Sequence, residues 1–219
     1  MYGETQFSHY DVLLWLTGVS NTLLMFALSS LLGCALGTLF GLIRYYRVVV
    51  LAPVIFAIGE VLKNSPVIVQ LFLVYFGIPM YFEVILSPFE AAAIVLSANT
   101  TAFIAVICVS SLDSVDRRQL ATARSFAMKE TDILVHILFP QALAVAAPMV
   151  VGILVNQIQV TSLISVIGVI DLTQVGHILN QRTFEPFIVW PVIGITYFVL
   201  SGAISYAGSK IEGRFRIPE

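Results

Sequence analysis

Apolar residues run along this chain in long unbroken blocks, and the polar residues fall between them. Residues 12–43 carry no charge. Residues 48–82 are interrupted only by Glu60 and Lys63, and residues 91–112 are again uncharged. Residues 133–170 contain His136 as the one ionisable group, and residues 186–209 close the series. A hydrocarbon core takes about 20 helical residues to cross, so each block is long enough to span a membrane. The first is long enough to tilt or project. The second reads as one span bent at Pro66, since proline removes a ladder hydrogen bond and clashes with the preceding turn. The fourth is too long for one crossing and divides into a span over 139–159 and a following segment that does not cross. The pattern therefore predicts an all-α integral membrane protein with five transmembrane helices.

Composition agrees. The chain is 58% hydrophobic and 11% charged, against about 25% charged in a soluble domain. The net charge of −2 says little, but the placement of the basic residues says more. Arg44 and Arg47 follow the first block; Arg117, Arg118, Arg124 and Lys129 follow the third; Lys210, Arg214 and Arg216 follow the last. Basic residues near span ends collect on the cytoplasmic side. This expectation places the N-terminus outside and the C-terminus in the cytoplasm. Glu4, Asp11, Glu83, Glu90, Asp171, Arg182 and Glu185 then fall outside. The basic residues lie between apolar spans, so nothing points to nucleic acid. The first ten residues have Glu4 and no Lys or Arg, unlike a secretory leader.

The interval 113–132, DSVDRRQLATARSFAMKETD, is the one long polar stretch. It is helix-compatible and basic, with the size of a docking surface for a soluble partner. Within the spans, Ser29, Gly33, Gly37 and Gly41 recur every four residues and make a small-residue stripe. Such a stripe admits a close helix neighbour, from this chain or from a second subunit. Glu60 and Lys63 share a helix face and read either as a structural ion pair or as part of a solute pathway. Asn99, Thr100 and Thr101, and then Asn156, Gln157, Gln159, Thr161 and Ser162, need hydrogen-bond partners at membrane depth. Interhelical bonds or a water-filled route would both supply them. His136, His9 and His177 are scattered, and Cys34 and Cys108 sit inside apolar blocks without metal-ligand spacing. The chain has no phosphate-binding loop of the GxxxxGK[ST] kind and no nucleophile–base set, which predicts that it is not an enzyme and does not hydrolyse ATP itself. No internal repeat is evident, which argues against a secondary transporter built from paired repeats.

Four stretches in order carry a resemblance: EVLKNSPVIVQLFLVYFGIP (60–79), LSANTTAF (96–103), FPQAL (139–143) and TSLISVIGVIDLT (161–173). They resemble the membrane-spanning permease subunit of ATP-binding-cassette importers for polar amino acids, of the histidine/glutamine/arginine type. The resemblance covers nearly the whole chain and implies the type I importer fold, with 1–219 as a single permease domain in the bacterial inner membrane. It implies a second permease subunit, a cytoplasmic ATPase dimer that binds ATP and Mg, an external solute-binding protein and a polar amino-acid substrate. It implies no cofactor in this chain, whose spans contact membrane lipid. The chain would form half of a translocation pathway, coupled to the ATPase through residues 113–139. A non-transporting scaffold or regulatory subunit is the rival reading.

The family's coupling loop usually reads E-A-A, three residues, then G, and ends near a Leu-Pro pair. Here Ala121-Thr122-Ala123 fills the first part, Ala127 takes the glycine position, and Phe139-Pro140 replaces Leu-Pro. Arg117, Arg118, Ala121, Ala123, Phe126, Ala127 and Pro140 are thus the expected coupling residues. Glu60, Lys63, Asn99, Thr100, Gln159, Thr161 and Ser162 are the candidate pathway residues. Alanine at a left-handed position costs about 1–2 kcal/mol, so the loop is expected to change its turn or absorb strain. The missing glutamate removes an anchor. Many relatives carry Lys-Asp where this chain has Gln159-Val160, so a second, non-identical permease is expected to supply that charge or the substrate is recognised differently.

Overall fold

A computed structural model describes residues 8–215. Glu4 and Arg216 lie outside the described residues, as does the side chain of Arg214. The described chain folds into α1 (His9–Tyr45), α2 (Leu51–Asn64), α3 (Val67–Phe72), α4 (Ile78–Phe82), α5 (Pro88–Asp113), α6 (Arg117–Ser125), α7 (Glu130–Ile133), α8 (Phe139–Val160), α9 (Leu172–Thr183) and α10 (Pro186–Phe215). Local chemistry sets several starts. The Ser87 hydroxyl accepts from the Glu90 amide at 3.2 Å, and the Glu90 carboxylate accepts from the Ser87 amide at 2.8 Å, with Pro88 entering the first turn. This reciprocal cap satisfies two orphan amides of α5. Asp171 caps α9 singly, accepting from Gln174 N at 2.8 Å.

Two π-helical turns interrupt the series, Leu73–Gly77 and Leu134–Leu138. Each lies just before an X–Pro pair, Ile78-Pro79 and Phe139-Pro140. Proline cannot donate to the carbonyl four residues back, and a wider turn absorbs the broken ladder. The Pro140 turn joins α7 to α8. With the 3₁₀ segment Thr161–Ile167, Glu130–Ile167 becomes one 38-residue rod. The helix that contains the expected crossing 139–159 thus begins earlier and ends later than it. Gly168, at φ 89°, stops it.

Among the described residues four helices are long and apolar enough to cross a membrane, and the pair Leu51–Asn64 and Val67–Phe82, bent by 110°, makes a fifth where it is one broken span rather than a re-entrant loop. The expected kink at Pro66 is therefore a sharp break. α1 and α5 lie side by side in parallel. A Cβ at Gly33 would meet Thr100, one at Gly37 would come within 2.6 Å of Ile104, and one at Gly41 would meet Cys108. The small-residue stripe is filled from within the chain. Antiparallel to them, α8 sends Gln157 to Ser29, and Gly208 of the returning α10 packs on Val151. At the end where α1 begins, α9 crosses it: the Leu172 amide donates to Thr22 Oγ1 at 3.1 Å, and Arg182 pairs with buried Asp11. Tyr45, Tyr46, Arg47, Asp113, Arg117 and Arg124 surround one cleft at the other, basic end.

Candidate functional site

At the basic end, α6 is a short amphipathic helix. Leu120 and Ala123 are buried with Leu112, Val115, Ile133, Leu138 and Ala142. Arg117, Arg118, Ala121, Thr122, Arg124 and Ser125 are exposed. The Asp116 carboxylate accepts from Arg118 N at 2.8 Å and opens the helix. Its close is more specific. Ala127 N donates to Arg124 O at 2.9 Å, and Met128 N donates to Ala123 O at 3.2 Å. Those two bonds, with Met128 packed on the cluster under the helix, make a Schellman cap. The left-handed position of that cap is normally glycine; here it is Ala127, at φ 56°. The loop keeps the turn and absorbs the strain. Phe126, one residue earlier, is left 78% exposed.

The turn is bridged by an ion pair. Arg124 Nε and Nη2 donate to the two Glu130 oxygens at 2.7 and 3.2 Å, bridging the turn. Gln141 Nε2 donates to Gln119 Oε1 at 2.8 Å and ties α6 to the first turn of α8, beside exposed Pro140. Sequence reasoning missed Glu130 as a partner. Its six-residue separation from Arg124 matches no helical spacing and becomes a contact only once the turn is formed.

A second polar group lies midway along the bundle, at the end of α2. The last carbonyls of a helix have no partner within it. Here Leu62 O accepts from Gln70 Nε2 at 2.8 Å and from Asn99 Nδ2 at 3.2 Å; Gln70 also donates to Ser65 O and Ser65 Oγ. Lys63 pairs with Glu60 at 2.6 Å, and Asn64 donates to the same carboxylate at 3.0 Å. The Lys63 cation sits in the last turn, where the helix dipole favours positive charge. The structure therefore brings Glu60, Lys63 and Asn99 together around one broken helix end.

The other pathway candidates divide. Thr100 is 1% exposed, packs against Gly33 and donates to Leu96 O; Thr161 is 0% exposed and donates to Ile158 O. Both are enclosed within this chain, and their hydroxyls are satisfied by their own helix. Neither faces an open surface in this structure. Gln159 is exposed, and its amide has no side-chain hydrogen bond among the described residues; Ser162 is half-buried. Gln70, the residue that caps the break, was not singled out by sequence.

A multi-pass helical bundle with a broken helix at mid-depth and a short amphipathic helix at its basic end defines a membrane transport component. The chain belongs to the family described as the binding-protein-dependent transport system inner membrane component, whose model matches residues 29–209. It is thus a multi-pass inner-membrane protein. It is 26% identical over 205 residues to the glutamine transport system permease protein GlnP of Escherichia coli K12, covering 93% of this chain and 94% of that one. To the probable glutamine ABC transporter permease protein GlnP of Bacillus subtilis it is 29% identical, covering 92% and 93%. A solved amino acid ABC transporter with histidines superposes with a TM-score of 0.85 at 28% identity, over 93% of this chain and 94% of that one. The MetNI methionine ABC transporter in inward-facing conformations matches in fold, with a TM-score of 0.82 at 20% identity over 96% and 100%. The fold is that of a type I ABC importer permease.

Proposed function

We propose that this chain is the permease subunit of an ATP-binding-cassette importer for a polar amino acid. It forms half of a translocation path and takes up ATPase motion through residues 113–139, a loop within a single permease domain. The observation that carries this reading is the cap of α6. The loop holds its turn at Ala127 at a cost in strain, and in doing so presents Phe126 and the arginine face of α6 outward. A buried or relaxed loop would have no use for that geometry. The names of the relatives, glutamine permeases, support the substrate class.

In this reading the basic end is cytoplasmic, so the N-terminus is outside. The α6 tip docks on an ATPase dimer that binds ATP and Mg. A second permease completes the path, and an external solute-binding protein delivers the amino acid. ATP binding in the partner shifts the permease pair between inward-open and outward-open states. Glu60, Lys63, Asn99, Gln159 and Ser162 supply the polar wall. Because Gln159-Val160 carries no charge, the second permease is a different chain that brings one.

Phe126→Asp tests the docking surface. Phe126 makes no core contact, so membrane insertion and yield stay unchanged, while the ratio of ATPase to permease after detergent purification falls severalfold. An unchanged ratio places the dock elsewhere. Normal association without amino-acid uptake in reconstituted vesicles, with the second permease present, would instead identify a scaffold.

A further inference from the structure

Between α1, α2 and α5 runs a groove of about 330 Å³ that touches the broken end of α2 only through Leu62. Leu36 and Phe40 of α1, Ile58 and Gly59 of α2, and Ala98 and Ala102 of α5 line it. Its mouth is open to the surroundings: Leu36 is 41%, Ile58 56% and Ile94 48% exposed. Gly59 shapes it, because a Cβ there would meet no atom within 4 Å. At one end stands Arg44, whose guanidinium lies over the Phe56 ring, 5.1 Å from its centroid. Among the described residues that guanidinium has no ion-pair or side-chain hydrogen-bond partner. At the other end are Leu62 and Ser97, level with the break in α2.

The dimensions select an occupant. From Leu36 to Arg44 the helix rises about 12 Å, and one leaflet of hydrocarbon is about 15 Å deep. The groove therefore runs the depth of one leaflet, from mid-membrane to the interface, with a cation at its interfacial end. Charge narrows the choice further. Glu60, the carboxylate on α2, is engaged by Lys63, which leaves Arg44 as the cation of this groove. We propose that this groove is a phospholipid site. An acyl chain lies along Gly59 and the α5 alanines, and an anionic headgroup sits on Arg44. A zwitterionic headgroup would bring an ammonium against the same arginine.

The test uses the full chain with its co-purifying subunits in vesicles containing phosphatidylglycerol with a photoactivatable acyl chain; crosslinks are mapped by mass spectrometry. Labelling should concentrate on the groove-lining peptides of α1, α2 and α5. Gly59→Leu, which fills the groove without a backbone clash, should abolish that labelling. Arg44→Gln should keep it but lower the preference for phosphatidylglycerol over phosphatidylcholine competitor by about fivefold, the effect of one interfacial cation. Soluble glycerophosphoglycerol, or inorganic phosphate, should not compete. Labelling that is uniform over the lipid-facing surface, or that survives Gly59→Leu, overturns the proposal. So does effective competition by either chain-free anion, which would leave a headgroup-only site. A cysteine at position 59 that crosslinks to another polypeptide in the intact complex would show that protein fills the groove, and would overturn it too.

Discussion

Ala127 and Gln70 each hold a backbone feature in place. Ala127 occupies the left-handed position of a complete Schellman cap. Replacing it by glycine removes the Cβ–carbonyl conflict without disturbing either hydrogen bond. Ala127→Gly is expected to stabilise the folded loop by about 1 kcal/mol, read as slower proteolysis within residues 113–139. Substrate-stimulated ATP hydrolysis in the complex should be preserved or raised. A faster cut would mean that the loop relies on the alanine methyl. Gln70 works the other way. It donates to the freed carbonyls of Leu62 and Ser65. Gln70→Leu keeps the volume and removes those donors, and should cost about 1–3 kcal/mol, measured as a lower midpoint of thermal unfolding in detergent. No change would show that Asn99 alone suffices. The two residues differ in what sequence can reveal. The demand on Ala127 follows from the residue type expected there by resemblance. The role of Gln70 depends on a carbonyl eight residues back that comes within reach only after a 110° bend.

For the helices, hydrophobic blocks disclosed the crossings but not their joints. Length and charge spacing located α1, α5 and α10 to within a few residues, because a membrane span is a one-dimensional signal. The small-residue stripe was legible as a close contact, yet its partner was not, since four-residue spacing is blind to which helix arrives. Ile104 and Cys108 provide the answer. Neither were the π turns legible; each Pro announced a fault without saying how the ladder would be repaired. Gly37→Ala places a methyl 2.6 Å from the Ile104 Cβ and is expected to destabilise by about 1–3 kcal/mol through overpacking. Gly152→Ala, in open space on α8, should be neutral or slightly stabilising. Ile104→Ala in the Gly37→Ala background should recover part of the loss. Equal melting of the two single variants would mean that α1 and α5 are not pressed together in the membrane.

At the scale of the molecule, the pathway candidates are sorted by which side of the protomer they face. Gln159→Cys and Ser162→Cys should react with a small hydrophilic thiol reagent in the assembled complex, and substrate or trapped nucleotide should change their rates. Thr161→Cys, set between them in sequence but fully enclosed, should be at least tenfold slower, in line with protection of about 1.4 kcal/mol or more. Comparable rates at all three positions would indicate that the 3₁₀ segment Thr161–Ile167 opens in the complex.

The parallel packing of α1 on α5 has a mechanical consequence. Glycine on β-branched side chain over successive turns leaves no slack for sliding, so these two helices behave as a fixed mast. The compliant points all lie elsewhere: the break at Ser65-Pro66 and the two widened turns before Pro79 and Pro140. If α6 takes up ATPase motion as proposed, a push on it would pass through the Gln119–Gln141 hydrogen bond into α8, bend at the widened turn near His136, and move the far end of α8, where Gln159 and Ser162 sit, relative to α1 and α5.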